Sequence, residues 1–327
     1  MNRRQFSLRA TLPVVTGIAS SIAGTSFAQQ WPGRPVTVVV PYPAGGNTDF
    51  TARLTTDYLT KKFGQSFIVD NRAGAGGTLA AVAAARMPPD GYSLFFASIT
   101  QISLAPFLFR IRYDPIKDFQ PVANVGGNPL VITVPVASPF KTLGDLVAFA
   151  KSNPGKLNVG HAGTGSLSHL SAVMFMNRAG ITGTLIPYRG GGAAVVGLLG
   201  GQTDLYSANI SEIMGFIESG KVRFLAVSSL KPIPQLTNVP AIASTYPGYQ
   251  IETWNGLLAP VGVPSPIIDS LASAVDEMLT DTTTLARMSA AGIIPQRGQI
   301  KQVFAKRIQR DVAMWGPMMQ QAGLAPE

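Results

Sequence analysis

The chain has 327 residues and no cysteine, with 46% hydrophobic and 13% charged residues, a composition that can bury a core and excludes a disordered polymer. Without cysteine there are no disulfides, thiolate zinc sites, iron–sulfur ligands or cysteine nucleophile. Lys and Arg outnumber Asp and Glu by 26 to 17, giving +9, but the basic residues are dispersed and suit an anionic ligand better than nucleic acid.

Residues 1–28 read as an export leader. Arg3, Arg4 and Arg9 form a positive region, a diluted apolar run follows, and Ser26-Phe27-Ala28 predicts cleavage after Ala28. Arg3-Arg4-Gln5-Phe6 resembles a twin-arginine signal, with the general secretory route as the alternative. Pro13 and Gly17 interrupt the run and argue against an uncleaved anchor. The expected location is the periplasm.

Beyond the leader, short β-branched or aromatic runs alternate with segments of helical period, which predicts an α/β fold with mainly parallel sheets flanked by helices. Strands are expected at 36–40, 67–69, 93–97, 130–134, 157–160, 184–186, 204–206 and 224–228. Phe50, Leu54, Tyr58 and Phe63 mark one helix, stopped by Gly64; Leu167, Leu170 and Met174 mark another, and Phe304, Ile308, Val312, Trp315 and Met319 a last one. Pro/Gly-rich stretches near 124–129 and within 232–266 are where the chain can pass between domains. Two crossings give one lobe from 29–128 and 254–327 and a second from 129–253.

Three loops face a possible ligand. Pro41-Tyr42-Pro43-Ala44-Gly45-Gly46-Asn47-Thr48-Asp49 joins a strand to a helix, and such a loop presents free N–H groups at the positive end of that helix. Residues 160–170, with Gly163, Thr164, Ser166 and Ser168, repeat the arrangement in the other half. Two helix N-termini are thereby placed to grip one anion. The third, Pro187-Tyr188-Arg189-Gly190-Gly191-Gly192, carries one cation and little further signal. Asn71 to Leu79 fails as a dinucleotide fingerprint, because Leu79 stands where the third glycine belongs.

Catalysis and metal binding find little support. His161 and His169 are the only histidines and lack metal-ligand spacing; neither metal nor cofactor is expected. Ser166 and His169 offer a secreted-hydrolase alternative, but they are three residues apart outside any Gly-x-Ser-x-Gly setting, so His169 reads better as a brace for its loop.

Taken together, Pro41 to Asp49, Asn71 to Gly77, Asp90-Gly91-Tyr92, Ser168-His169-Leu170, Pro187-Tyr188-Arg189-Gly190, Leu198 to Asp204 and Trp254-Asn255-Gly256-Leu257 resemble, in order, the motifs of the exported solute receptors of tripartite tricarboxylate transporters, the Bug family. The resemblance implies a two-domain periplasmic-binding-protein fold (type II-like) with the ligand cleft between lobes, a membrane permease as partner, and no catalysis. It points to Tyr42, Ala44, Gly45, Thr48 and Asp49 on one lobe and Ala162, Gly163, Thr164 and Ser166 on the other, with Tyr188 and Trp254 as cleft walls and Asp49 shaping its loop. From the residues themselves, Leu205 to Asn209 offers only neutral groups, with Asn209 the best donor and acceptor. A dicarboxylate or aromatic acid is therefore expected over an amino acid. Presentation of the ligand to a membrane sensor kinase is the alternative use of the same pocket.

Overall fold

A computed structural model of the protein describes residues 31–321; the leader, including its cleavage site, lies outside the described residues. The first stretch runs β1 (Val36–Val40), α1 (Asn47–Phe63), β2 (Phe67–Asn71), α2 (Thr78–Ala85), β3 (Ser93–Ser98), α3 (Ala105–Leu108) and β4 (Phe119–Gly127). The chain then crosses and builds β5 (Leu130–Pro135), α4 (Leu143–Ser152), β6 (Leu157–His161), α5 (Leu167–Ala179), β7 (Gly183–Pro187), α6 (Gly191–Leu199), β8 (Leu205–Asn209), α7 (Ile210–Glu218) and β9 (Val222–Val227). It returns for β10 (Asn255–Pro260), α8 (Ser265–Met278), α9 (Thr282–Ala290), β11 (Ile294–Pro295) and α10 (Lys301–Gln321). No helix among the described residues is long and apolar enough to cross a membrane.

The strands form two sheets, ordered β11-β4-β10-β3-β1-β2 and β7-β6-β8-β5-β9, each with flanking helices. They are mixed rather than mainly parallel. β1 runs parallel to β2 and β3, and β6 to β7 and β8, as helical crossovers require. β10 pairs antiparallel with β3 and β4, and β5 with β8 and β9. The difference has a simple origin: β5 and β10 are the strands by which the chain enters a sheet from the other lobe, so no helix on that sheet's face turns them parallel.

Local chemistry explains the elements nearest the cleft. β1, Val-Thr-Val-Val-Val, buries all four valines on its two faces, with Thr37 half-buried. Helix α1 ends where Gly64 takes a left-handed conformation (φ 68°) and donates its N–H to the Thr60 carbonyl, with Lys61 and Lys62 in the last turn. Along β5, Leu130 and Ile132 enter a core that reaches Val39, Phe95 and Phe119, while Val131 faces the opposite way toward Tyr206, Ala194 and Ile213.

Both crossing segments meet at Ser228. Its Oγ accepts from the Leu130 N–H at 2.7 Å and donates to the Ile251 carbonyl, while its own N–H reaches the Leu130 carbonyl at 2.8 Å. Thr253 N–H donates to the Asn128 carbonyl at 2.9 Å, so outgoing and returning strands lie side by side between the sheets.

Candidate functional site

Prolines at 41 and 43 stop β1, and Gly45, at φ 88°, turns the chain into α1. No side chain caps α1 at Gly46. Asp49 instead reaches back within its loop: one oxygen accepts from Gly45 N–H at 3.0 Å and Arg53 Nε at 3.0 Å, and the other from Asn71 Nδ2 at 2.9 Å. Burial alone would push this carboxyl up, but the bonds from Arg53, Asn71 and Gly45 together hold it below the usual carboxylate range. Asn71 Nδ2 also donates to the Tyr42 carbonyl at 2.8 Å.

A second brace is Gln101, fully buried in a wide π-type turn after β3. Its Oε1 accepts from Ser98 N–H at 3.1 Å and Ser98 Oγ at 2.9 Å; its Nε2 donates to the Tyr42 hydroxyl at 3.0 Å and the Gly76 carbonyl at 2.8 Å; the Tyr113 hydroxyl donates to its backbone carbonyl at 2.5 Å. A Cβ at Gly77 would strike the Gln101 amide and Pro41, and one at Gly76 would strike Phe109. The glycines of 71–79 thus serve close packing.

Across the cleft, Ser166 caps α5 by accepting from His169 N–H at 3.2 Å, Ser168 Oγ accepts from Ala162 N–H at 3.3 Å, and His169 Nδ1 accepts from Gly165 N–H at 3.3 Å. Among the described residues no hydrogen bond joins Ser166 Oγ to the His169 ring. The two imidazoles stack at 4.6 Å, and burial, aided by the His169 charge, lowers His161 to about 4. Burial also lowers His169, so neither ring supplies a cation at neutral pH. In the third loop, Tyr188 N–H donates to the His161 carbonyl at 2.9 Å, and the Tyr188 hydroxyl donates to Gln202 at 3.1 Å over the bare face of Gly197.

These loops enclose two adjoining cavities. The inner one, about 60 Å³, is lined by Tyr42, Ala44 and Thr48 from one lobe and by Ala162, Ser166 and Asn209 from the other. The outer one, about 640 Å³, takes Tyr42, Ala162, Gly163, Thr164, Ser166 and Tyr188, with Phe109 as an apolar wall and Arg189 shared between both. Gly45 and Asp49 line neither and act from behind. Trp254 does not wall the cleft: only 1% exposed, it donates Nε1–H to Asp311 at 2.8 Å and packs edge-on to Phe304 at 5.0 Å. Backbone alternation sends its neighbour Thr253 to the inner cavity instead.

Ser98, Thr100, Thr253 and the acid Glu212 line the inner cavity but escaped the sequence reading. Glu212, in the first turn of α7, folds back toward Asn209 and reaches the inner cavity. Its Oε2 accepts from the Tyr206 hydroxyl at 2.6 Å; its Oε1 accepts from Asn209 Nδ2 at 3.2 Å and, across the cleft, from Asn47 N–H at 3.2 Å. Ser211 Oγ adds a second bond between the lobes, to Asn47 Oδ1 at 2.6 Å. Burial pushes the Glu212 carboxyl up by more than the bonds from Tyr206, Asn47 and Asn209 bring it back. Leu205 to Asn209 itself offers only neutral groups, but Glu212, three residues beyond it, brings an acid to the pocket, so the expectation of an acid without an amine loses its premise. An acid three residues beyond the strand end, where a helix's first turn folds over its own start, was the available signal.

Residues 51–324 match the family described as tripartite tricarboxylate transporter family receptor. Protein BugT of Bordetella pertussis is 33% identical over 324 residues, covering 95% of this chain and 97% of BugT. Three solved structures superpose closely: R. palustris Rpa4515 with adipate (TM-score 0.88, 33% identity, 91% of this chain and 100% of that one), the periplasmic binding protein BugD (0.87, 32%, 91% and 100%), and MatC from Rhodopseudomonas palustris with bound malate (0.83, 34%, 88% and 99%). With two lobes, a cleft between them and this match along nearly its whole length, the chain belongs to the tripartite tricarboxylate transporter receptor family.

Proposed function

We propose that this protein is an exported solute receptor that captures a small organic carboxylate between its lobes, 29–128 with 254–327 and 129–253, and delivers it to the membrane subunits of a tripartite transporter. The observation that carries the reading is the inner cavity, into which the start of α1 faces from one lobe and the starts of α5 and α6 from the other. Helix starts bind carboxylates without any full positive charge. Relatives with adipate and malate bound support the ligand class. No bond is made or broken in this reading, and no cofactor enters it.

The mechanism is lobe closure. An open form offers a solute one lobe; the closed form offers both, and only that difference in contacts moves the equilibrium. Taking a hinge from 1:99 to 99:1 requires about 5.5 kcal/mol of preferential binding to the closed form. Two or three charge-assisted hydrogen bonds of about 1.5–3 kcal/mol each are enough. The permease then reads the closed shape.

The test is a thermal-shift screen of the leader-free protein against monoacids, diacids, aromatic acids and amino acids. At least one class must raise the melting temperature, since binding to the native state alone stabilises it. A flat response across all of them ends the proposal.

A further inference from the structure

The inner cavity already holds a carboxylate, the protein's own. Glu212 lies between two helix starts: its Oε1 accepts from the Asn47 N–H of α1, and its carboxylate packs so closely on Gly191, the first residue of α6, that a Cβ there would overlap it. Each helix start carries roughly half a positive charge, so the pair matches about one anion. The Glu212 carboxyl fills that place. A solute carboxylate pushed into the same end would meet like charge with no free helix start to offset it.

The Glu212 carboxyl has no cationic partner, which leaves burial free to push it up; a cation beside it would hold it ionised. The carboxyl's three hydrogen-bond donors, Tyr206, Asn47 and Asn209, are all neutral, and among the described residues no Lys or Arg forms an ion pair with it. Acidic groups taken out of water are ordinarily paired. A second acceptor beside it is also short of a donor: Asn209 Oδ1 is buried without a hydrogen-bond partner, although Asn209 lines the same cavity. This end of the pocket is rich in acceptors and poor in donors. The other end carries no acid: Ser166 and the start of α5 face the cavity there.

We propose that Glu212 is the specificity-determining residue of the pocket, selecting a solute that carries an ammonium group at one end and a carboxylate at the other. The ammonium supplies a donor to the unpartnered Asn209 Oδ1 and a positive charge beside Glu212, and the carboxylate takes the α5 end. This rests on the solute-receptor reading above and replaces the expectation of an acid without an amine.

The experiment compares matched pairs in which a carboxylate is exchanged for an ammonium at constant chain length: succinate against 4-aminobutanoate, glutarate against 5-aminopentanoate, and adipate against 6-aminohexanoate. Binding is measured by calorimetry on the wild-type, leader-free protein and on Glu212→Gln. The wild type is expected to bind at least one amino acid about tenfold more tightly than its diacid partner, and Glu212→Gln to lose that preference. Tighter binding of the diacid at every length, equal binding within every pair, or an unchanged preference in Glu212→Gln overturns the assignment while leaving the receptor reading intact. The wild-type comparison stands by itself should the variant fold poorly. A failure of every carboxylate in the wider screen sinks the receptor reading instead.

Discussion

Replacing Asp49 by Ala removes the acceptor for three donors, and the structure says what each is worth. Gly45 is exposed and Asn71 Nδ2 keeps the Tyr42 carbonyl, so losing each bond to the buried carboxylate costs about 0.5–1.5 kcal/mol. Arg53 is half exposed and recovers water, so its share is below about 1 kcal/mol. The sum is about 2 kcal/mol, or a melting temperature lower by roughly 3–4 °C for a chain of this size. Because Asp49 holds Gly45 and, through Asn71, the Tyr42 carbonyl, the same change should weaken solute binding although Asp49 lines neither cavity. The sign with pH follows from its lowered folded-state pKa: the stabilisation is present above the ordinary carboxylate range and is lost as the pH falls through the folded value. The gap between wild type and Asp49→Ala should therefore be widest near neutrality and close in acid. Melting scans from pH 7 down to strong acid measure it. An Ala variant that melts within about 1 °C of wild type at pH 7 would show that the loop does not depend on this carboxylate.

His161, ordinarily near 6.5, is held to about 4 in the fold, so its contribution is complete above pH 6.5 and is lost as the pH falls through about 4. The difference amounts to about 3 kcal/mol, and His161→Leu should flatten the acid limb of the stability curve by that amount; an unchanged limb refutes the assignment. Ser228→Ala strands the Leu130 N–H at the lobe crossing and should cost about 1–3 kcal/mol in urea unfolding, with faster hydrogen exchange at the Leu130 amide. Unaltered exchange there would mean that Ser228 does not bind the crossing strands together.

The parts of the fold read most directly from sequence are those whose local chemistry agrees with their surroundings. The apolar run 36–40, the helical stripe ending at Gly64 and the proline-glycine stop between them need nothing beyond their own residues. β4 was hidden because Pro121, Gly126 and Gly127 look like loop. They stand in a strand that pairs with β10 through two register shifts, and the glycines are there for room: a Cβ on Gly127 would meet the Thr253 carbonyl, and one on Gly126 would meet Ile293 and Met288. Crowding by segments more than a hundred residues away leaves no local trace. The loops at 41–49 and 160–168 were legible as a facing pair. Glu212 was not, since its importance comes from Asn47 and Gly191, which only the closed fold brings to it. Trp254 illustrates the converse, an aromatic whose side of the strand is set by Asp311 and Phe304.

The bracing around Gln101 decides which half of the receptor is free to diversify. One amide clasps Tyr42 from the first loop, Gly76 from the 71–79 stretch and Ser98 from the end of β3, so a substitution in any of the three disturbs the others. That wall behaves as a single casting, costly to retune one position at a time. The opposite wall is tied by Glu212 to Tyr206, Asn209 and Asn47, but Thr164 and Tyr188 lie outside both clasps, and a change of preferred solute is more readily reached there.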